Sequence, residues 1–178
     1  MPAPSRNVLA NLEQHAEPLR RRGPDHQSAA LVGGRHSAHA ADGGYGAVAL
    51  SAAVLRMRGA SLTPQPHRDA HGNALLFNGE VFGGLGVGDA DSDTDSVLSA
   101  LASATEPHRD APASCAAAAI LELLGRLEGP LALVFWHSAS ATLWYARDGL
   151  GRRSLLRCWP AAHRGGLVLC SVAHAATL

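Results

Sequence analysis

Asn78-Gly79-Glu80 closes the apolar run Ala74-Leu75-Leu76-Phe77 and is followed at once by Val81-Phe82. Glycine at 79 permits positive φ and close backbone approach, so a turn here can aim its own N–H groups and the Asn78 amide at one point. Two converging donors suit an oxyanion. The same dipeptide also suits a plain hairpin turn, and taken by itself it leaves both readings open.

Other candidate chemistry is sparse. Cys115, Cys158 and Cys170 follow no CxxC or Cys/His ligand spacing, so neither a zinc site nor a disulfide framework is indicated. Their apolar neighbours predict small buried hydrophobes rather than nucleophiles. His36 and His39 stand three apart in a predicted strand, which puts them on opposite faces and argues against a metal site. Arg147-Asp148, at the edge of Gly149-Leu150-Gly151, predicts an ion pair that fixes that loop, with Arg152-Arg153-Ser154 in solvent beyond it. Arg22-Gly23-Pro24-Asp25 reads as a turn that positions the following strand. Loss of Met1 would expose Pro2 as a secondary amine able to act as a base, but no other residue supports that chemistry.

Composition sets outer limits on function. Fifteen acidic residues balance fifteen basic ones, so net charge implies no nucleic-acid footprint. Every basic residue is Arg and Ile120 is the one isoleucine, a bias that weakens an Arg-rich look as evidence for phosphate binding. A length of 178 residues suits one domain with a sizeable core. The start MPAPSRN is not a signal peptide, and no window reaches the roughly 18 apolar residues of a membrane span. A soluble, cytoplasmic protein in a reducing setting is expected.

The elements that must position Asn78-Gly79 follow from periodicity and caps. Asn7 can cap a helix through Val8, Leu9, Leu12, Ala16 and Leu19, and RRRGPDHQS after it reads as a polar loop. Strands are predicted around Leu31-Val32, from Gly46 to Met57 and from Ala74 to Phe77, with a turn at Asp42-Gly43-Gly44. Ser92 or Asp93 can cap a helix to about Ala104, and Ser114 another to about Leu127. Further strands fit Leu131–Trp136, Thr142–Ala146, Ser154–Trp159 and Leu167–Val172. Helices between two sets of strands with short antiparallel connections argue an α+β fold with stacked sheets.

In order, the chain reads RGPD (Arg22–Asp25), SAAVLRMRG (Ser51–Gly59), QP (Gln65-Pro66), FNGEVF (Phe77–Phe82), SDTDSVL (Ser92–Leu98), LEGPLALVFW (Leu127–Trp136) and LWYARDGLGRRSLL (Leu143–Leu156). This ordered set resembles the N-terminal glutaminase domain of asparagine synthetases, a class II glutamine amidotransferase of the N-terminal-nucleophile (Ntn) hydrolase superfamily. The resemblance covers about residues 19–174 within a single domain of 1–178. The forms SAxVLxxRG and RDxLGRRSLL narrow it to a branch in which such a domain precedes a C-terminal synthetase-like domain, for which no residues follow Leu178.

What the resemblance implies is specific. The fold would be a four-layer αββα sandwich of two mainly antiparallel sheets. An N-terminal Cys would attack the glutamine side-chain amide, with its own α-amine as base, leaving a glutamyl thioester and ammonia for asparagine synthesis. By motif match, Asn78 and Gly79 would form the oxyanion hole, Glu80 would line the pocket, and Asp93 would hold the substrate α-ammonium. No cofactor or metal is implied; the partners are glutamine and the synthetase-like domain, with neither nucleic acid nor membrane.

The chain departs from the pattern twice. Pro2 follows Met1 and no Cys precedes Cys115, so the nucleophile and the short first strand that would carry it are missing. Leu55 stands where the family has an Arg for the substrate carboxylate, leaving Arg56 and Arg58, on the opposite strand face, as substitutes. The expectation is a catalytically silent glutaminase-type domain, with a non-catalytic glutamine-binding or scaffold domain as the alternative.

Overall fold

A computed structural model of the chain describes residues 18–33, 47–56, 61–88, 91–109, 111–159 and 167–172. The predicted first helix falls outside these residues except at its end, where 18–20 are helical; Pro2, His36, His39, Arg58 and the Asp42–Gly44 turn also lie outside them.

At the centre is a strand with no exposed face. Leu131–His137 is buried at every position, because alternate side chains enter two different cores. It is flanked on one side by Ala74–Gly79 and on the other by Thr142–Arg147, both antiparallel to it. Numbering strands along the chain gives β1 (His26–Val32), β2 (Val48–Val54), β3 (His67–Arg68), β4 (Ala74–Gly79), β5 (Leu131–His137), β6 (Thr142–Arg147), β7 (Leu156–Cys158) and β8 (Val168–Cys170). They form three ladders among the described residues: β1-β2, β3-β4-β5-β6 and β7-β8, each antiparallel throughout.

Helices α1 (Asp93–Thr105) and α2 (Ala113–Arg126) cover one face of the four-stranded sheet. Their residues Val97, Leu98, Leu101, Ile120 and Leu123 meet Leu75, Phe77, Leu133 and Phe135 in the larger core. The opposite face carries Ala74, Val134 and Trp136. Val32 and Leu50 of the β1-β2 pair and Leu155 and Leu169 of the β7-β8 region pack on it in a second core. The period-2 alternation of β4 and β5 thus separates the cores: odd positions face the helices and even positions of β4 and β5 face the other sheets. The molecule is α+β with antiparallel sheets stacked through this second core.

Several boundaries differ from the sequence expectation. β1 begins inside the polar run at His26, since pairing along all seven positions with β2 outweighs the polarity of His26-Gln27-Ser28. β2 is shorter than predicted, as are β7 and β8. Ser92 is the cap of α1, its Oγ accepting the Asp95 N–H, whereas α2 starts two residues earlier than a Ser114 cap would place it, with Pro112 at the cap position.

Candidate functional site

Asn78 and Gly79 are not a hairpin turn. β4 runs through both, Asn78 opposite Ala132 and Gly79 opposite Leu131, and the pairing continues with Glu80 N–H donating to Pro130 O at 3.1 Å and Phe82 N–H to Glu128 O at 2.8 Å. Tertiary approach, not turn geometry, explains the glycine: a Cβ on Gly79 would lie 2.1 Å from Pro130 O, with φ at +157°. Gly129 mirrors it, since its Cβ would lie 2.0 Å from Glu80 O. Two glycines let the chains touch backbone to backbone at this end of the sheet.

Alternation of the ladder then fixes what faces where. Phe77 directs its N–H and C=O to the outer edge of β4, where the buried Gln65 side chain takes both, at 2.8 and 2.9 Å. Gly79, two residues on, directs its N–H to the same outer edge beyond Gln65. Asn78 and Glu80 share the even-numbered face with Ala74, at the end where Asn78 is exposed. The Asn78 amide has no hydrogen-bond partner among the described residues.

Asp93 stands at the first position of α1 and is 7% exposed. Its Oδ1 accepts the Val81 N–H at 3.0 Å, pinning the chain just after Glu80 to the helix start. Gln65 ties in a third element, donating also to Thr94 Oγ1 at 3.2 Å, while its backbone O accepts from Ser28 Oγ. In the sequence Gln65 stands out only as part of the Gln65-Pro66 motif. Its role as a side-chain extension of the sheet depends on the pairing of distant strands, and no local pattern signals it.

Two expectations about charge are corrected. Asp148 pairs with Arg152, not Arg147: Arg152 Nε lies 3.1 Å from Asp148 Oδ2, and the carboxylate also accepts the Leu131, Leu150 and Arg152 N–H groups. Burial works to raise the Asp148 pKa, but the Arg152 hydrogen bonds, the Leu131 N–H and the Arg152 charge outweigh it and leave the value at about 2. Arg153 is partly buried rather than fully solvated. It turns back to Glu80, Nη2 to Oε1 at 3.3 Å, and its buried Nε has no acceptor among the described residues.

The structure therefore brings Asn78, Gly79, Glu80 and Asp93 to one end of β4 and adds Arg153. Arg56 is exposed after β2, with its backbone N–H on Asp25 Oδ2 at 2.8 Å. That bond and the Asp25 N–H on Val54 O at 3.1 Å tie the start of β1 to the end of β2, while the turn before it is closed by Arg22 and Gly23 N–H on Leu19 O at 3.0 and 3.2 Å. The cysteines are partly exposed rather than fully buried. Cys158 and Cys170 are diagonal neighbours on β7 and β8, and burial pushes the Cys170 thiol up, aided by Cys158. No cluster of three or more His, Cys, Asp or Glu side chains among the described residues can hold a metal ion, and no described helix is long and apolar enough to cross a membrane.

The opposite end of β4 holds a cavity of about 180 Å³ lined by His71, Asn73, Glu106, Arg109, His137 and Ser138 among others. Its polar groups largely bond to one another: Asn73 to Asp69 and Ser138, Arg109 to His71 and Glu106.

No protein-family model matches the chain. Similarity to known proteins is nonetheless clear. Asparagine synthetase domain-containing protein 1 of Gallus gallus is 36% identical over 119 residues, 67% of this chain and 17% of that protein. Its Mus musculus counterpart is 38% identical over 112 residues, 63% of this chain and 16% of that protein. The chain is a relative of asparagine synthetase domain-containing protein 1. The similarity extends to Drosophila melanogaster, where asparagine synthetase domain-containing protein CG17486 is 30% identical over 138 residues, 78% of this chain and 21% of that protein. The chain spans about a sixth of the length of its vertebrate relatives.

Proposed function

We propose that the chain is the glutamine amidotransferase-type domain of an asparagine synthetase-like protein, built as an Ntn-type αββα sandwich and binding glutamine without hydrolysing it. Hydrolysis would require a cysteine with a free α-amine, and Cys115, Cys158 and Cys170 all lie within the chain, their amines in peptide bonds. In a complete protein of this kind, the domain would supply ammonia to a synthetase-like partner for asparagine formation. A non-catalytic scaffold role is the alternative.

The observation that carries the binding reading is the unfilled polar end of β4. At that end stand the exposed Asn78 amide, on the even-numbered face, and the Gly79 N–H, directed to the outer edge of β4. Glu80 follows on the face of Asn78, and Asp93 anchors the next residue, Val81, to α1. Gly79 and Gly129 hold that arrangement by backbone contact, so it does not depend on a mobile turn. A backbone donor fixed before a ligand arrives needs no reorganisation on binding, which favours a carbonyl or oxyanion opposite the Gly79 N–H.

Glutamine titration of the purified chain, followed by thermal shift, tests the reading. A rise in melting temperature at millimolar glutamine, reduced in Asn78→Ala, is expected. An unchanged melting temperature would leave only the scaffold alternative. Ammonia release above a buffer blank, lost in Asn78→Ala, would overturn the claim of silence.

A further inference from the structure

We propose that Cys158 and Cys170 form a two-thiolate site for a monovalent, thiophilic metal ion, copper(I). The site lies on the β7-β8 ladder and not on the sheet that holds β4, so its failure would leave the glutamine reading untouched.

The register of β7 and β8 brings the two sulfurs to one face. Leu156 stands opposite Cys170, and Cys158 opposite Val168. These four residues alternate away from Leu169, which packs into the second core. Both cysteines are thiols and partly exposed. Leu156 beside them is 41% exposed, so this face of the ladder looks outward.

The surroundings of Cys170 suit a bound cation. Burial pushes its thiol up, and the Cys158 charge beside it pushes the same way, so two bare thiolates are disfavoured there. A metal cation between the sulfurs offsets the paired negative charge. The Val172 N–H donates to the Cys170 sulfur and favours its thiolate form.

Spacing selects the chemistry. Diagonal neighbours on an antiparallel ladder have Cα atoms about 7–8 Å apart, beyond the roughly 4.4–6.8 Å that a disulfide tolerates. An ion between the sulfurs adds two metal–sulfur bonds of roughly 2.3 Å each and spans the extra distance. Zinc takes four ligands, and no cluster of three or more His, Cys, Asp or Glu is found among the described residues. Copper(I) is soft, prefers thiolate and is satisfied by two sulfurs in line. Two S–H bonds break and two Cu–S bonds form. Both protons go to solvent and copper stays monovalent, so no electron is transferred.

The test titrates the reduced full chain, without oxygen, against copper(I) bicinchoninate and follows loss of the chelator complex's colour. About one copper per chain is expected, with affinity rising up to about a hundredfold per pH unit below the thiol range, two protons per ion. Cys158→Ser and Cys170→Ser should each weaken binding by about a hundredfold or more, and Cys115→Ser by less than about twofold. X-ray absorption of the wild-type complex should show two sulfur ligands and no nitrogen, a readout that needs no variant. Binding that survives Cys158→Ser, or falls equally in Cys115→Ser, would overturn the site, as would a one-proton pH dependence or a nitrogen ligand. So would failure of the wild-type chain to take copper from the chelator. Clean conversion of Cys158 and Cys170 to a disulfide by glutathione disulfide would place the sulfurs at bonding distance and overturn the choice of a metal.

Discussion

The two ends of β4 are built from similar residues and differ in how completely they are satisfied. At the start, Asn73 is 4% exposed with both ends of its amide engaged, Nδ2 on Asp69 Oδ2 at 2.7 Å and Oδ1 on the Ser138 N–H at 2.9 Å. Asp69 also accepts the His71 and Asn73 N–H groups, and His137 Nδ1 meets Ser140 Oγ at 2.7 Å. At the far end, the same residue type, Asn78, is exposed and unpartnered among the described residues, and Arg153 leaves Nε without an acceptor. A saturated polar network locks a fold, whereas an unsaturated one, rigidly held, is suited to a ligand. The cavity at the first end is therefore less informative than the open edge at the second.

The sharpest way to break the comparison is Gly79→Ala. With Pro130 O 2.1 Å and Leu131 Cα 2.7 Å from the new Cβ, the strands must part, and a loss of about 3 kcal/mol or more in urea unfolding is expected. A neutral result would mean that the far end is not rigidly held. Next come the two asparagines. Asn73→Ala strands the Ser138 N–H and part of Asp69, at about 2–3 kcal/mol, while Asn78→Ala should change stability by less than about 0.5 kcal/mol. Similar losses for the pair would erase the distinction between locking and binding.

Acid titration gives a smaller, sign-specific contrast. Burial lowers the His137 pKa, partly offset by the Asp69 charge. A lowered histidine favours the neutral form when folded, so its contribution is fully present above about pH 6.5 and is lost as pH falls toward the folded value. Asp148 has a folded pKa of about 2, so its contribution is present above about pH 4 and disappears as pH falls through 2. His137→Gln should remove the first step and Asp148→Asn the second, read from unfolding midpoints across pH. A single step that survives both changes would contradict the assignments.

What the sequence disclosed tracks the range of the forces involved. The β5 run LALVFW and the Ser92 cap were legible because burial and capping are encoded locally. Asn78-Gly79 was legible as a special backbone site, but its conformation was not, because Pro130 and Leu131 demand the glycine from fifty residues away. The direction of Arg153 was equally hidden. An arginine in a Gly-rich loop reads as solvated until Asp148, by taking Arg152, leaves its neighbour to reach Glu80. That Cys115 is the first cysteine of the given sequence and that position 55 is a leucine could be read directly, since neither is a product of packing.

Gln65 has a consequence beyond holding elements together. An open strand edge is a template on which a second chain can add, the first step of aggregation or strand exchange. By presenting its amide to the N–H and C=O of Phe77, Gln65 acts as a one-residue counterfeit strand that blocks such growth. It stops just short of Gly79, so protection against self-association ends where recognition of a small molecule is proposed to begin.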